Sequence, residues 1–307
     1  MENNIYDLAI LGAGPAGICA AIYATRAKLN TIWLDRKFVQ GGQIVDTYEV
    51  DNYPGLPGIT GLDLGEAMAG HAEKLGLKPK REPVLSVTDE GEIKVIRTKK
   101  NEYHAWAVII ACGETHRPPG IPGEEELGGM GVSYCATCDA AFFQEGTVAV
   151  VGGGNVAVED AILLSRTCKK VYLVHRRDEL RAEKILQDSL FACHNVELVW
   201  DSVPVSVEGE DKVTALKVRN VKTDEEKEIS VDGVFIAVGI VPGSGKFKDL
   251  VKMDESGYII AGEDGVTSTP GIFAAGDIRT KNLRQVVTAV ADGANAVASV
   301  QRYLMEY

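Results

Sequence analysis

The chain carries one glycine-rich pattern twice, each time where a short apolar run gives way to a helical stretch. The first copy, Gly12–Gly17, fits G-x-G-x-x-G and follows the apolar run Tyr6–Leu11. A helical stretch to about Ala27 and a second apolar run, Thr31–Leu34, complete a strand–turn–helix–strand unit. In such units the glycines allow a tight turn, the close approach of a pyrophosphate and the packing of helix on strand. The pattern predicts a dinucleotide site.

An acidic residue ends this first unit. Asp35 lies 18 residues after Gly17. A carboxylate at this position accepts hydrogen bonds from a ribose diol and repels a 2′-phosphate, so it suits FAD or NAD. A glycine motif alone is compatible with a plain turn, but here the strand, the helix and the acid occur together. We therefore expect the first unit to bind one of these two dinucleotides.

The second copy repeats the same order of elements. An apolar strand, Thr147–Val151, leads into Gly152–Ala157, which fits G-x-G-x-x-A. A helix to about Thr167 and a second strand, Val171–Val174, follow. The repetition predicts a second dinucleotide site in the same chain.

Basic residues replace the acid in the second unit. His175, Arg176 and Arg177 stand at the position that Asp35 has in the first unit. The planar guanidinium group suits a 2′-phosphate, and Arg181 adds a further charge on the same face if the segment is helical. The alternative is a solvated basic start of a helix. The residue types favour NADP(H) as the second nucleotide, so we expect a flavoprotein oxidoreductase in which NADP(H) supplies hydride to a flavin.

Cys135 and Cys138 form a C-x-x-C motif. Two intervening residues let both sulfurs meet across one helical turn in a reactive disulfide. A zinc site would need a second such pair or paired histidines, and the five histidines are scattered. Asp139 follows directly and is either a proton donor or acceptor for a leaving thiolate or a free surface carboxylate. We predict a redox-active dithiol and no metal site.

The composition excludes several other classes of protein. The 307 residues suffice for two domains, and a net charge of −12 argues against nucleic acids and anionic membranes as partners. The longest apolar runs, such as Ala105–Cys112 and Val234–Val241, fall short of the roughly 18 residues of a membrane span. Met1–Tyr6 carries Glu2 and no basic start, so we expect no secretory signal and predict a cytoplasmic protein.

The order of the first glycine motif, the C-x-x-C pair and the second glycine motif resembles that of the low-molecular-weight bacterial thioredoxin reductases. These are FAD- and NADPH-dependent pyridine nucleotide-disulfide oxidoreductases, and the similarity covers nearly the whole chain. The matching motifs are Gly12–Gly17, Gly41–Gln43, Asn52–Gly55, Cys135–Asp139, Gly152–Ala157, His175–Arg177 with Arg181, Gly276–Asp277 and Arg284–Val286.

The resemblance implies an enzyme that reduces the disulfide of thioredoxin. Hydride would pass from NADPH to FAD, and electrons would then pass to the Cys135–Cys138 disulfide and on to oxidised thioredoxin. Carried over by position, Cys138 faces the flavin, Cys135 attacks the thioredoxin disulfide and Asp139 is the acid/base. The alternatives are a reductase of another thioredoxin-like or glutaredoxin-like protein, and a nucleotide-binding redox sensor without turnover.

The resemblance and the motif positions predict an α/β fold of two Rossmann-like domains. An NADPH-binding domain, residues 117–245, carries the C-x-x-C pair and is inserted into a discontinuous FAD-binding domain, residues 1–116 and 246–307. A helix over Val286–Leu304 ends the FAD domain. Alternating stretches, Lys212–Val218 and Glu228–Ile236, predict antiparallel strands in the insert. A homodimer formed through the flavin domain is implied as well.

The motifs and the resemblance together define the predicted sites. The predicted FAD site consists of Gly12, Gly14, Pro15, Ala16, Gly17, Asp35, Arg36, Gly41, Gly42, Gln43, Asn52, Gly276, Asp277, Arg284, Gln285 and Val286. The predicted NADPH site consists of Gly152, Gly154, Asn155, Val156, Ala157, His175, Arg176, Arg177 and Arg181. The predicted catalytic residues are Cys135, Cys138 and Asp139.

Overall fold

A computed structural model describes residues 5–47 and 50–306 and divides the chain into two compact units. Unit 1 comprises residues 1–115 and 241–307, and unit 2 comprises residues 116–240. The predicted insert, 117–245, differs from unit 2 by one residue at its start and by five at its end. The cytoplasmic prediction drew partly on residues 1–4, which lie outside the described residues.

The described residues form six helices and seventeen strands. In chain order the elements are β1 (Ile5–Leu11), α1 (Pro15–Arg26), β2 (Thr31–Asp35), α2 (Gly61–Lys74), β3 (Lys80–Arg81), β4 (Val84–Glu90), β5 (Ile93–Thr98), β6 (Glu102–Ile110), β7 (Glu114–His116), β8 (Val132–Ser133), α3 (Ala136–Asp139), β9 (Thr147–Gly152), α4 (Asn155–Ser165), β10 (Lys170–Val174), α5 (Lys184–Phe191), β11 (Val196–Val199), β12 (Ser202–Gly209), β13 (Val213–Asn220), β14 (Glu226–Ser230), β15 (Gly233–Ala237), β16 (Ile240–Pro242), β17 (Ile272–Ala274) and α6 (Val286–Met305). Short 3-10 turns lie at Ile44–Asp46, Ala140–Phe143 and Gly245–Phe247. None of the helices in the described ranges has the length and apolar character needed to cross a membrane.

The sheet of unit 1 has the strand order β3-β2-β1-β6-β5-β4, and β17 also pairs with β6. Strands β1, β2, β3, β6 and β17 run parallel, while β4, β5 and β6 are antiparallel neighbours. Leu8 and Ile10 of β1 pack with residues of α1, α2 and α6, and Ala9 and Leu11 pack into a second apolar cluster on the opposite face. Both faces are buried, which is why β1 is apolar throughout instead of alternating.

Unit 2 repeats this arrangement on a smaller sheet. Strands β11-β10-β9-β15-β8 form a wholly parallel sheet, and β12, β13 and β14 form a separate antiparallel one. Val148 and Val150 of β9 pack with apolar residues of α4, whereas Ala149 and Val151 pack with apolar residues of the antiparallel sheet. The predicted α/β fold with two Rossmann-like units, one inserted into the other, is confirmed.

The prediction of antiparallel strands in the insert is confirmed for Lys212–Val218, which largely coincides with β13, but it holds for only the first part of Glu228–Ile236. The structure splits this stretch into β14, antiparallel to β13, and β15, parallel to β9 in the core sheet. The break lies at Asp232, whose backbone N–H donates to the Thr147 carbonyl at 2.7 Å and whose carboxylate accepts from the Thr147 N–H at 2.8 Å. Beyond Asp232 the chain is apolar on both faces, which is typical of a central parallel strand.

A buried ion cluster joins α6 to the segment before it. Asp292 of α6 accepts from the Arg279 side chain at both carboxylate oxygens, at 2.8 Å from Nε and 2.6 Å from Nη2. It also accepts from Lys281 Nζ at 3.0 Å and from the Gly276 backbone N–H at 2.9 Å. Arg279 and Asp292 are both almost fully buried. The cluster therefore fixes the backbone at Gly276 relative to α6.

Replacing Asp292 by alanine should lower the free energy of unfolding by about 3–5 kcal/mol, because it leaves the Arg279 guanidinium buried without its counter-charge. Urea denaturation followed by circular dichroism measures this loss. The matched control is Asp249→Ala at an exposed position of the same unit, which should change stability by no more than about 0.5 kcal/mol. Equal, small effects of the two substitutions would contradict the role given to the cluster.

Candidate redox and dinucleotide sites

A disulfide links Cys135 and Cys138 directly after β8. Cys135 precedes the short helix α3, and its Sγ accepts from the Cys138 backbone N–H at 3.2 Å. Both cysteines are half-buried. The pair lies at the carboxyl end of a parallel strand, which is where α/β sheets hold their ligands.

Asp139 lies beside the disulfide as a largely buried carboxyl. Its Oδ2 accepts from Ser133 Oγ at 2.6 Å, and its Oδ1 is buried with no hydrogen-bond partner among the described atoms. Burial raises the pKa of Asp139, and the hydrogen bond from Ser133 lowers it. This burial does not fit a free surface carboxylate. Ser133 is a site residue that the sequence did not single out, and its place two residues before Cys135 was the only signal.

In unit 1 the first glycine motif forms the turn between β1 and α1, and its residues Pro15 and Ala16 are the first two residues of α1. Gly12 has a φ of +112°, and a Cβ there would lie 2.3 Å from the Ala111 carbonyl oxygen. The Gly41 N–H donates to the Ala13 carbonyl at 2.8 Å, and a Cβ on Gly42 would come within 3.0 Å of the Gly14 Cα. The two predicted glycine segments are therefore packed together, and only glycines leave their backbone open to a pyrophosphate.

Asp35 occupies the end of β2, next to this turn. The turn and β2 are joined by a hydrogen bond from the Gly12 N–H to the Leu34 carbonyl at 2.8 Å. Burial raises the pKa of Asp35, while backbone hydrogen bonds from Arg36 and Lys37 oppose that rise. The position suits a carboxylate that accepts hydrogen bonds from a ribose diol.

The remaining predicted FAD residues come together from distant parts of unit 1. Asn52 Nδ2 donates to Gln285 Oε1 at 2.9 Å, and Gln285 caps α6, whose first residue is Val286. Asp277 Oδ1 and Arg284 Nε are buried, and neither has a hydrogen-bond partner among the described atoms. Buried polar atoms without partners are rare in proteins and indicate a missing water or ligand. These residues fit the polar chemistry of FAD.

In unit 2 the second glycine motif forms the turn between β9 and α4. A Cβ on Gly154 would meet nothing within 4 Å, whereas one on Gly153 would overlap the His175 ring at 2.2 Å. Asn155, the first residue of α4, accepts from the Glu183 N–H at 2.9 Å, and Val156 is exposed. One side of the turn is thus packed and the other is open, as a phosphate-binding turn requires.

The basic residues after β10 divide into one buried and three exposed side chains. His175 is only 4% exposed, its Nε2 has no hydrogen-bond partner among the described atoms, and burial lowers its pKa. Arg176, Arg177 and Arg181 are exposed. The helical face suggested for Arg177 and Arg181 does not exist, because α5 begins only at Lys184. Arg181 reaches the glycine turn differently, through a hydrogen bond from its backbone N–H to the Gly153 carbonyl at 2.8 Å.

Residues 6–293 match the family model of the pyridine nucleotide-disulphide oxidoreductases. The chain belongs to this family. It is 47% identical over 306 residues to a thioredoxin reductase from Listeria innocua and 46% identical over 306 residues to one from Bacillus subtilis, in each case covering 99% of this chain and 96% of the relative. The crystal structure of a thioredoxin reductase from Streptococcus pyogenes superposes with a TM-score of 0.95 at 45% identity, covering 100% of both chains. The predicted membership among the thioredoxin reductases is confirmed.

One buried acid in this family member was not among the predicted site residues. Glu114 accepts from the Tyr258 hydroxyl at 2.9 Å through Oε2. Arg284 Nε lies 3.5 Å from the same oxygen, an ion-pair distance without the geometry of a hydrogen bond, and its guanidinium lies over the Tyr258 ring at 3.9 Å. The Glu114 carbonyl accepts from Gln43 Nε2 at 2.6 Å. Glu114 therefore contacts two residues of the predicted FAD site.

Burial is the main reason that the pKa of Glu114 rises from its ordinary 4.5 to about 7. The neighbouring Asp277 raises it further, while Tyr258, Arg284 and Lys281 oppose the rise. An acid whose pKa is higher in the folded than in the unfolded state stabilises the fold fully below its unfolded pKa. That contribution is lost as pH rises from about 4.5 through about 7.

Glu114→Gln should remove this pH dependence, because glutamine keeps the shape and cannot ionise. From pH 5 to pH 8 the unfolding free energy of the nucleotide-free wild type should fall relative to the variant, by an amount on the order of 2–3 kcal/mol. Urea denaturation at each pH gives the difference. An exposed control in the same unit, Glu263→Gln, should show the wild-type trend. Parallel curves for wild type and Glu114→Gln would contradict the assignment.

Proposed function

We propose that the protein is an NADPH-dependent thioredoxin-disulfide reductase in which unit 1 binds FAD and unit 2 binds NADPH. The observation that carries the proposal is the Cys135–Cys138 disulfide with the buried Asp139 beside it, in a chain whose two glycine turns are followed by residues of opposite charge. Dinucleotide turns alone would suit many oxidoreductases. The disulfide specifies a thiol-based acceptor.

Unit 1 would hold FAD at the edge where its parallel strands end. The turn at Gly12–Gly17 and the loop at Gly41–Gln43 would bind the pyrophosphate, and Asp35 with Arg36 would bind the adenosine ribose. The buried polar atoms of Asp277 and Arg284, which have no hydrogen-bond partner among the described atoms, would bind polar groups of the cofactor. When bound, FAD supplies a carrier that accepts hydride and passes two electrons on to a disulfide.

Unit 2 would hold NADPH on the open side of the turn at Gly152–Ala157. The exposed Arg176 and Arg177 carry charges at the end of β10, where a 2′-phosphate would lie, and Arg181 is held at the turn by its backbone. The buried His175 packs against Gly153 and would shape the turn from its other side.

The redox pair would hand electrons to thioredoxin by thiol–disulfide exchange. The Cys135 thiolate would attack one thioredoxin sulfur, and Cys138 would then attack the Cys135 sulfur of the mixed disulfide and displace the thioredoxin sulfur. The Cys135–Cys138 bond forms again, and thioredoxin leaves with two thiols. Asp139 would move protons at the cysteine sulfurs. The names of the Listeria and Bacillus relatives support thioredoxin as the partner, and the resemblance supports a homodimer formed through unit 1.

Two other activities would fit the same residues. A reductase of another thioredoxin-like or glutaredoxin-like protein would keep every group described above. A redox sensor would bind the nucleotides without steady turnover. Steady-state oxidation of NADPH with purified thioredoxin and glutaredoxin as acceptors separates the three, and sustained turnover with thioredoxin is the expected result.

Cys138→Ser should abolish thioredoxin reduction while NADPH still bleaches the flavin and reduces small one-electron acceptors, since hydride transfer to the flavin needs no sulfur. Absorbance at the flavin band and a thioredoxin-coupled assay measure the two steps. The control is Cys193→Ser, a half-buried free cysteine of the same unit, which should keep both activities. Near-normal thioredoxin turnover by Cys138→Ser would remove the disulfide from the mechanism.

Replacing Arg176 and Arg177 by alanine should weaken the binding of NADPH roughly ten- to a hundredfold per lost contact. The binding of NADH should stay nearly unchanged, because only NADPH has a 2′-phosphate. The KM for each nucleotide, measured with a small electron acceptor, checks this. Arg166→Ala, an exposed arginine just after α4, should leave both KM values unaltered. If the KM values for both nucleotides rose equally, the arginines would have a role other than binding that phosphate.

A further inference from the structure

Ser133 lies at the centre of a short hydrogen-bond chain that joins the redox pair to Asp139. The residue is 5% exposed. The Cys135 backbone N–H donates to Ser133 Oγ at 3.0 Å, and Ser133 Oγ donates to Asp139 Oδ2 at 2.6 Å. A serine hydroxyl has one proton, and the Cys135 carbonyl at 3.4 Å is the more distant acceptor. The proton of Ser133 is therefore committed to Asp139.

The Asp139 carboxyl depends on this hydroxyl. Its other oxygen, Oδ1, has no hydrogen-bond partner among the described atoms. Among the described elements, those packed most closely against α3 are the 3-10 turn Ala140–Phe143, which has no ionisable side chain, and α4, which carries the acids Glu159 and Asp160. Burial, which raises the pKa of Asp139, and the bond from Ser133, which lowers it, are the two influences on its charge. The redox pair adds no charge while its disulfide is closed.

We propose that Ser133 is a positioning residue for the thiol–disulfide step: it holds the Asp139 carboxyl in one orientation beside the cysteines and favours its ionised form. This inference rests on the proposed function. A buried carboxylate with one fewer donor would prefer to be protonated, and it would then be unable to take a proton from a thiol. Ser133 thus keeps Asp139 ready to act as a base.

The step in which Asp139 acts balances as follows in the direction of thioredoxin reduction. Asp139 takes the proton of the Cys135 thiol, the thiolate attacks one thioredoxin sulfur, and the thioredoxin disulfide breaks. Cys138, having released its thiol proton to solvent, then attacks Cys135 as a thiolate, so that the Cys135–Cys138 bond forms and the second thioredoxin sulfur leaves. Two electrons have passed to thioredoxin. One of its thiolates takes the proton back from Asp139 and the other takes one from solvent.

The test is the pH dependence of kcat/KM for thioredoxin in the flavin-loaded enzyme, compared between Ser133→Ala and Ser133→Thr. Losing a hydrogen bond to a charged group should move the ascending limb of the Ser133→Ala profile to higher pH by about one to two units. Threonine keeps the hydroxyl, so its limb should stay within about half a unit of wild type. The control is Ser202→Ala, a buried serine of the same unit whose hydroxyl donates to the Trp200 carbonyl, and it should keep the wild-type profile.

Two further readouts separate positioning from damage to the fold. Flavin content and NADPH-driven ferricyanide reduction need no sulfur and should be unchanged in Ser133→Ala. In Asp139→Asn the ascending limb of the pH profile should be absent, and adding Ser133→Ala to this variant should not change the profile further.

An unshifted limb in Ser133→Ala, or equal losses of ferricyanide and thioredoxin reduction, would overturn the role of Ser133 and leave the proposed function untouched. Absence of thioredoxin turnover in the unaltered enzyme would instead overturn the proposed function itself.

Discussion

The close approach of a glycine turn to a neighbouring parallel strand is the constraint on which both units depend. A Cβ on Gly12 would lie 2.3 Å from the Ala111 carbonyl oxygen, and one on Gly152 would lie 2.5 Å from that of Ala237. Ala111 follows β6 and Ala237 ends β15, and in both cases the chain passes from one unit to the other within a few residues. In each unit the glycine turn, the end of the neighbouring strand and the start of the segment that leads to the other unit are therefore held together. They lie at the edge where α/β sheets bind ligands.

This edge is also where each unit buries polar groups that the fold does not satisfy. Asp277 and Arg284 in unit 1 and Asp139 and His175 in unit 2 have buried atoms without hydrogen-bond partners among the described residues. Such groups lower stability unless a ligand or a reacting atom meets them. These groups lie near the glycine turns and the disulfide. Such a distribution is expected of binding and catalytic sites, which lower the stability of the ligand-free protein.

Local patterns predicted most of the fold, and contacts between distant residues account for what they missed. Both glycine turns, the disulfide pair and the terminal helix follow from motifs and periodicity within about 30 residues. The antiparallel pairing predicted over Glu228–Ile236 holds only as far as β14, because the pairing of Asp232 with Thr147 separates β14 from β15. Glu114 was missed because its partner Tyr258 lies 144 residues away. Ser133 is close in sequence to Asp139, but only the folded structure shows that its hydroxyl is the one hydrogen-bond donor to that carboxyl among the described residues.

The central claim is that electrons from NADPH reach the Cys135–Cys138 pair through the flavin, and the most direct measurement is the redox state of those two sulfurs. The flavin-loaded enzyme would be mixed with NADPH without oxygen, quenched with an alkylating reagent and analysed by peptide mass spectrometry. The account predicts that both cysteines become alkylated after NADPH is added and are protected again once oxidised thioredoxin follows. A disulfide that stays closed while the flavin is fully reduced would contradict it.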